Sequence, residues 1–160
     1  MKFYTGVGSR DTPPDILELM QKIANKMYNK NIYLRTGDAF GADKAFVVGS
    51  NYLNFIYTAS QATEASMDLA KKYHPVWNKL SSYVKKLHGR NSFQILGDNL
   101  DNPSICLICW TPDGCKSHRY RSIETGGTGT AISIASEYNV KVFNLKNKPT
   151  KFLFENWIKE

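Results

Sequence analysis

The chain has 160 residues, 42% of them hydrophobic and 22% charged, which suits one ordinary domain with a real core and excludes disordered or collagen-like chains. The longest apolar runs, such as Ile105 to Trp110, fall far short of the ~20 residues that cross a bilayer, and Met1-Lys2-Phe3-Tyr4-Thr5 lacks a signal peptide's apolar block, so a cytoplasmic protein with no membrane partner is expected. A net charge of +7 calls for anionic partners.

Phe3 to Val7 reads as a short strand, and Gly6-Val7-Gly8-Ser9-Arg10 turns the chain toward Pro13-Pro14-Asp15, a helix entry. Ile16, Leu17, Met20, Ile23, Ala24 and Met27 recur at three- and four-residue spacing and form one core-facing helical stripe that ends at Asn29 to Asn31. Ile32 to Arg35 is a second strand, followed by the turn Thr36-Gly37-Asp38-Ala39-Phe40-Gly41-Ala42-Asp43 and a small-residue helix through Gly49. Phe55 to Tyr57 is a third strand. Residues 63 to 88 read as a long helical region interrupted near Pro75, with Ala65, Leu69, Ala70 and Tyr73 lining its first part and Val76, Trp77, Leu80, Tyr83, Val84 and Leu87 its second. Ser104 to Trp110 is apolar throughout, as in a central strand buried on both faces of a parallel sheet. Residues 111 to 123 are loop-like, Thr125-Gly126-Gly127-Thr128-Gly129-Thr130 opens a helix, Val140 to Leu145 is the last strand, and Phe152 to Ile158 forms a terminal helix over a sheet face. Strands alternating with helices predict a Rossmann-like, doubly wound, mainly parallel sheet of about five or more strands in a single domain, with ligand chemistry at the carboxyl ends of the strands.

The glycine run at 125 to 130 lets backbone N–H groups approach an anion while the following helix offers its positive end, and Thr128 and Thr130 add hydroxyl donors. It lacks the lysine of a P-loop, and Gly6-Val7-Gly8 lacks the third spaced glycine of a dinucleotide fingerprint. Arg90-Asn91, placed after a basic helix, can clamp a phosphate or carboxylate. Asp38 and Asp43 sit where an acid meets ribose hydroxyls or a helix dipole, and Asp113 sits in a Pro-Asp-Gly turn. Cys106, Cys109, Cys115 and His118 have zinc-like spacing, but residues 106 and 109 of one strand point to opposite faces, so no metal site is expected. Residues 71 to 90 hold Lys71, Lys72, Lys79, Lys85, Lys86 and Arg90 with no acid, either a solvated helix face or a wall beside a phosphate or nucleic-acid track.

Taken together, Gly6 to Arg10, Thr36 to Asp43, Leu87-His88-Gly89-Arg90-Asn91 and Thr125 to Thr130 resemble, in order and spacing, the SMF/DprA–LOG group of Rossmann-like proteins, and most of all its short, single-domain members encoded by bacteriophages. The resemblance implies a nucleotide or nucleotide-derived ligand at the glycine loops. LOG-type phosphoribohydrolases carry Met-His-x-Arg-Lys and P-G-G-x-G-T-x-x-E motifs; Arg90 matches the functional arginine, whereas Asn91 replaces the lysine and Ser133 the glutamate. A serine cannot stabilise a developing ribosyl cation as a carboxylate does.

The leading expectation is therefore a binding protein without a cofactor. Thr125, Gly126, Gly127, Thr128, Gly129 and Thr130 hold phosphates, Arg90 with Asn91 neutralises them, and Gly6, Ser9, Arg10, Gly37, Asp38 and Asp43 shape the sugar side. In a phage this would be a sponge for a host signal of the cyclic ADP-ribose type. An N-glycosidic hydrolase, with Arg90 on the phosphate and Asp43, Asp113 or Glu124 in place of the missing glutamate, is the alternative. Single-stranded nucleic-acid binding through Tyr73, Trp77 and Tyr83 is the third. A homodimer or higher even assembly with Trp77 or Trp157 at an interface is expected from the surplus aromatic surface.

Overall fold

The computed structural model describes residues 1–160 and has five strands: β1 (Lys2–Gly6), β2 (Ile32–Thr36), β3 (Asn54–Ile56), β4 (Cys106–Cys109) and β5 (Lys141–Asn144). All pair in parallel, in the order β3-β2-β1-β4-β5. Helices α1 (Pro14–Asn29), α2 (Ala42–Ser50), α3 (Glu64–Lys71), α4 (Ser82–Leu96), α5 (Thr128–Glu137) and α6 (Lys148–Trp157) flank this sheet, giving a Rossmann-like α/β arrangement. None of them is long and apolar enough to cross a membrane.

Two cores follow from the period of two along the strands. Tyr4, Leu34, Cys106 and Ile108 face α1, α2 and α6, where Ile16, Met20, Ile23, Ala24 and Met27 of the α1 stripe and Phe46 are buried with them; Leu19 joins this buried face, and Leu17, expected in it, is only half-buried at its edge. Leu107 and Cys109 face the other side, with Val7, Ile95, Leu96, Ile132 and Ile134 from the β1 loop, α4 and α5. Cys106 and Cys109 therefore lie on opposite faces of β4. β4 is buried along its whole length between β1 and β5, as its unbroken apolar run requires. The C-terminal helix starts earlier than its aromatic run, at Lys148, because Pro149 suits a first helical turn. Only Phe154 of it is buried, edge-on to Phe143 at 5.2 Å.

The largest departure from the sequence expectation lies between residues 63 and 97. Helix α3 stops at Lys71, ahead of Pro75, and α4 restarts where the Ser81 hydroxyl accepts the Val84 N–H at 3.2 Å. It then runs past His88 to Leu96, so Arg90 and Asn91 lie within the helix and not after it. Gly89 does not break it, because the missing side chain is what lets α4 meet α3: a Cβ there would lie 2.7 Å from Met67 Cγ. The helix ends at Gly97, whose φ of +76° suits a residue without Cβ. The apolar stripe from Val76 to Leu87 is not core: none of its members is buried, and Tyr83 is 64% exposed.

Candidate functional site

A cleft of about 460 Å³ opens at the carboxyl ends of β1 and β4, where the strand order reverses. This is where open α/β sheets leave room for a ligand, because the loops from the two central strands diverge to opposite faces. Ser9 and Arg10 after β1, Asp43 at the start of α2, one face of α4, and the turn before α5 enclose it. The α4 face follows from helical spacing: Val84, Leu87, Asn91 and Gln94 stand three and four residues apart, with His88 and Arg90 beside them.

The turn before α5 is held from outside the cleft. Asp113 accepts the hydroxyls of Thr111 at 2.8 Å, Ser122 at 2.9 Å and Thr125 at 2.5 Å. Burial alone would raise its carboxyl, but these bonds and the Cys115 N–H outweigh burial and keep it below the usual carboxylate range. Beyond Thr125 the chain turns through Gly126, at φ +68°, into Gly127, the residue preceding α5, which offers no capping side chain; in the first turn the Gly129 N–H donates to the Gly126 carbonyl at 3.0 Å. No heavy atom stands within 4 Å of where a Cβ would sit on Gly126 or Gly127. Gly126, Gly127 and Thr128 line the cleft, which places the positive end of α5 beside it.

Charge on the opposite wall is arranged around Arg90. Its guanidinium Nη1 pairs with Asp38, while its Nε is buried with no partner. Gln94, one turn further along α4 and 1% exposed, likewise leaves Oε1 unpaired. Unsatisfied buried polar atoms are uncommon, and here two of them belong to side chains that line one cleft. Asp43 is 4% exposed and accepts the Ala39 N–H at 3.2 Å; burial pushes its carboxyl up to about 6 against the pull of that N–H and of Arg90. His88 Nδ1 lies 2.8 Å from Thr130 Oγ1, and burial, with the positive charge of His74, Arg121 and Arg90 around it, pushes this histidine down to about 4.

The structure brings Ser9, Arg10, Asp43, Arg90, Asn91, Thr125, Gly126, Gly127 and Thr128 together on the cleft. Asp38 is exposed and reaches it through Arg90. Gly6, Gly37 and Gly129 serve packing: a Cβ on Gly6 would meet the Phe46 ring at 2.6 Å, one on Gly37 would meet Asp43 Oδ2 at 2.6 Å, and one on Gly129 would overlap Arg121. Thr130 is buried beneath His88 and Arg121. Of the acids named as replacements for a catalytic glutamate, Asp113 is committed to the loop and Glu124 is exposed outside the lining, which leaves Asp43. Ser133 is fully buried and bonded to His118 at 2.8 Å, also outside the cleft.

Val7, Gly8, Val84, Leu87, His88 and Gln94 were not singled out as site residues by the sequence, yet they line the cleft. Gln94 had a usable signal in its position four residues after Arg90. Val84 and Leu87 had none, because an apolar cleft wall and a core stripe share one spacing. The basic window divides: Arg90 and His88 belong to the cleft, whereas Lys71, Lys72, Lys79 and Lys86 are exposed. Of the aromatics in it, Tyr83 is exposed and Trp77 is half-buried beside the His74 ring. Trp157 packs edge-on to Phe154, with Lys26 over its ring. Compared with known proteins, the chain matches no family model, no curated protein and no solved structure.

Proposed function

We propose that the protein binds a phosphate-bearing, nucleotide-derived small molecule in the cleft between β1 and β4. The observation that carries this is the pairing of two features across one space: an uncapped, unobstructed α5 N-terminus on one side, and the buried, unpaired Arg90 Nε and Gln94 Oε1 on the other. The amides and the guanidinium supply donors to a phosphate; Gln94 Oε1 and the Asp43 carboxyl supply acceptors suited to sugar hydroxyls. The glycine motifs that resemble the SMF/DprA–LOG group support the nucleotide class, and sequestration of a cyclic ADP-ribose-type signal in a phage-infected cell is the biological form we favour. Calorimetry against nucleotides, cyclic dinucleotides and ADP-ribose derivatives tests it. Binding of at least one member tighter than ~100 μM is expected, and none at that level rejects the proposal for the panel.

Asp43 favours a second reading, hydrolysis of an N-glycosidic bond. A cleft-lining carboxyl pushed up to about 6 is poised to exchange a proton near neutral pH. Incubation with nucleoside monophosphates followed by chromatography separates the two. Ligand recovered intact supports the binder, whereas multiple turnovers abolished by Asp43→Asn support the enzyme.

A further inference from the structure

A second cavity, of about 550 Å³, lies across the Gly126 turn from the cleft. Gly126 lines both spaces. His74 of the second cavity stands edge-on to His88 of the first, with ring centroids 4.5 Å apart, so one glycine and one pair of imidazoles divide them. With His118 in the second cavity as well, all 3 histidines of the chain gather around these two spaces.

The second cavity is basic. Lys72 and Arg121 supply its positive charge, His74 and His118 add imidazole nitrogens, and no aspartate or glutamate lines it. Arg121 donates to the Tyr73 carbonyl at 2.9 Å and to Thr130 Oγ1 at 3.2 Å, and it belongs to none of the ion pairs in the protein. Burial lowers the pKa of Arg121, and burial together with the Arg121 charge lowers that of His74. A half-buried guanidinium with neutral partners is an incomplete arrangement, because desolvation of its charge is offset only by hydrogen bonds and not by an opposite charge. An anion entering from solvent would supply the missing term. Apolar surface adjoins the cations: Ile123, 99% exposed, and Val76, 44% exposed, line the same space.

We infer that this cavity is a second anion subsite for the ligand of the cleft, so that the molecule bound carries two phosphate groups set apart by a sugar. The inference rests on the nucleotide reading of the cleft and narrows it away from the cyclic ADP-ribose type, whose two phosphates are joined directly to each other, toward ligands with a sugar between them. One phosphate meets the α5 N-terminus and Arg90, the sugar crosses Gly126, and the second phosphate meets Arg121, Lys72 and His118. The chemical class is a nucleoside 3′,5′-bisphosphate or a short oligonucleotide step, as opposed to a nucleoside monophosphate.

Calorimetry of the full chain with 5′-AMP, adenosine 3′,5′-bisphosphate and the 5′-phosphorylated diadenylate tests this. The two bisphosphorylated probes should bind at least tenfold more tightly than 5′-AMP. Lys72→Glu combined with His118→Gln should abolish that gain and leave 5′-AMP binding unchanged. Equal affinities, or a variant that weakens all three probes alike, overturn the inference while leaving cleft binding intact. If no adenine nucleotide binds, the function proposed above fails for adenine, and inorganic phosphate decides the subsite. The His118 ring signals should then shift with saturation at low millimolar phosphate and remain unmoved by chloride at equal ionic strength; an unmoved His118 in phosphate overturns the subsite as well.

Discussion

The turns after β2 and before α5 carry similar sequences, glycines interleaved with small polar residues ahead of a helix, yet they do opposite things. Around Gly37 the space a side chain would need is filled: Asp43 Oδ2, Gln94 Nε2 and Arg90 Cζ lie 2.6, 2.8 and 3.1 Å from its missing Cβ. Around Gly126 and Gly127 the same space is empty. The first glycine permits protein to approach protein, bringing α2 and α4 side chains together under the cleft. The others leave backbone N–H groups open to something from outside. A glycine in a strand-to-helix turn is thus ambiguous until its neighbours are known, and two of the three around Gly37, Arg90 and Gln94, come from a helix more than fifty residues away.

Substitutions separate the two roles. Gly37→Ala has the largest expected effect, a loss of about 1–3 kcal/mol of stability from overpacking against Asp43, Gln94 and Arg90, together with weakened ligand binding. Denaturant unfolding measures the first and calorimetry the second; an unchanged midpoint would mean that these side chains yield easily. Asp113→Ala should follow, with a loss of about 1–2 kcal/mol, because three hydroxyls lose their shared acceptor. Its ligand affinity should fall as well, although Asp113 does not line the cleft, since the turn before α5 would loosen.

Gly127→Ala should do the reverse of Gly37→Ala. Its φ of −62° and ψ of −27° suit alanine, so stability should stay within about 0.5 kcal/mol. Ligand affinity should nevertheless drop roughly tenfold, because the new methyl would stand where an anion approaches the amides. A stable variant with unchanged affinity would move the phosphate away from this turn.

Two buried titrating groups on the cleft oppose each other in acid. His88 is pushed from 6.5 to about 4, so the unfolded chain holds this proton more tightly, and stability is lost as pH falls from 6.5 toward 4. Asp43 is pushed from 3.8 to about 6, so the folded chain holds its proton more tightly, and stability is gained as pH falls from 6 toward 3.8. Between pH 4 and 6 the two slopes offset each other. Asp43→Asn removes one of them, so its unfolding free energy should fall on acidification more steeply than that of the parent, by up to about 1.4 kcal/mol per pH unit. Parallel curves would show that Asp43 does not titrate in this window. The smallest effect is expected for Glu124→Gln, within about 0.5 kcal/mol and without change in binding or turnover, since this exposed side chain lies outside the cleft.

Alternating strand and helix signals determined the fold class. Local patterns of apolar spacing, turn glycines and Pro13-Pro14 act within a few residues, so the parallel sheet, the α1 stripe and the buried β4 were legible in the sequence alone. Local chemistry also marked Arg90, Asp43 and the turn before α5 as site residues. Tertiary structure alone decided the rest. The helical signal ends at His88 in one dimension, whereas Gly89 proves to be a contact between α3 and α4 and the helix runs on past Arg90. Val84 and Leu87 read as members of an apolar helical stripe and line a cleft, because helical period reports which residues share a face but not what that face meets. Gln94 and Arg121 acquire meaning only from missing partners, an unpaired oxygen in one and no acid beside the other. An absent neighbour is a property of three-dimensional packing, and no spacing along the chain encodes it.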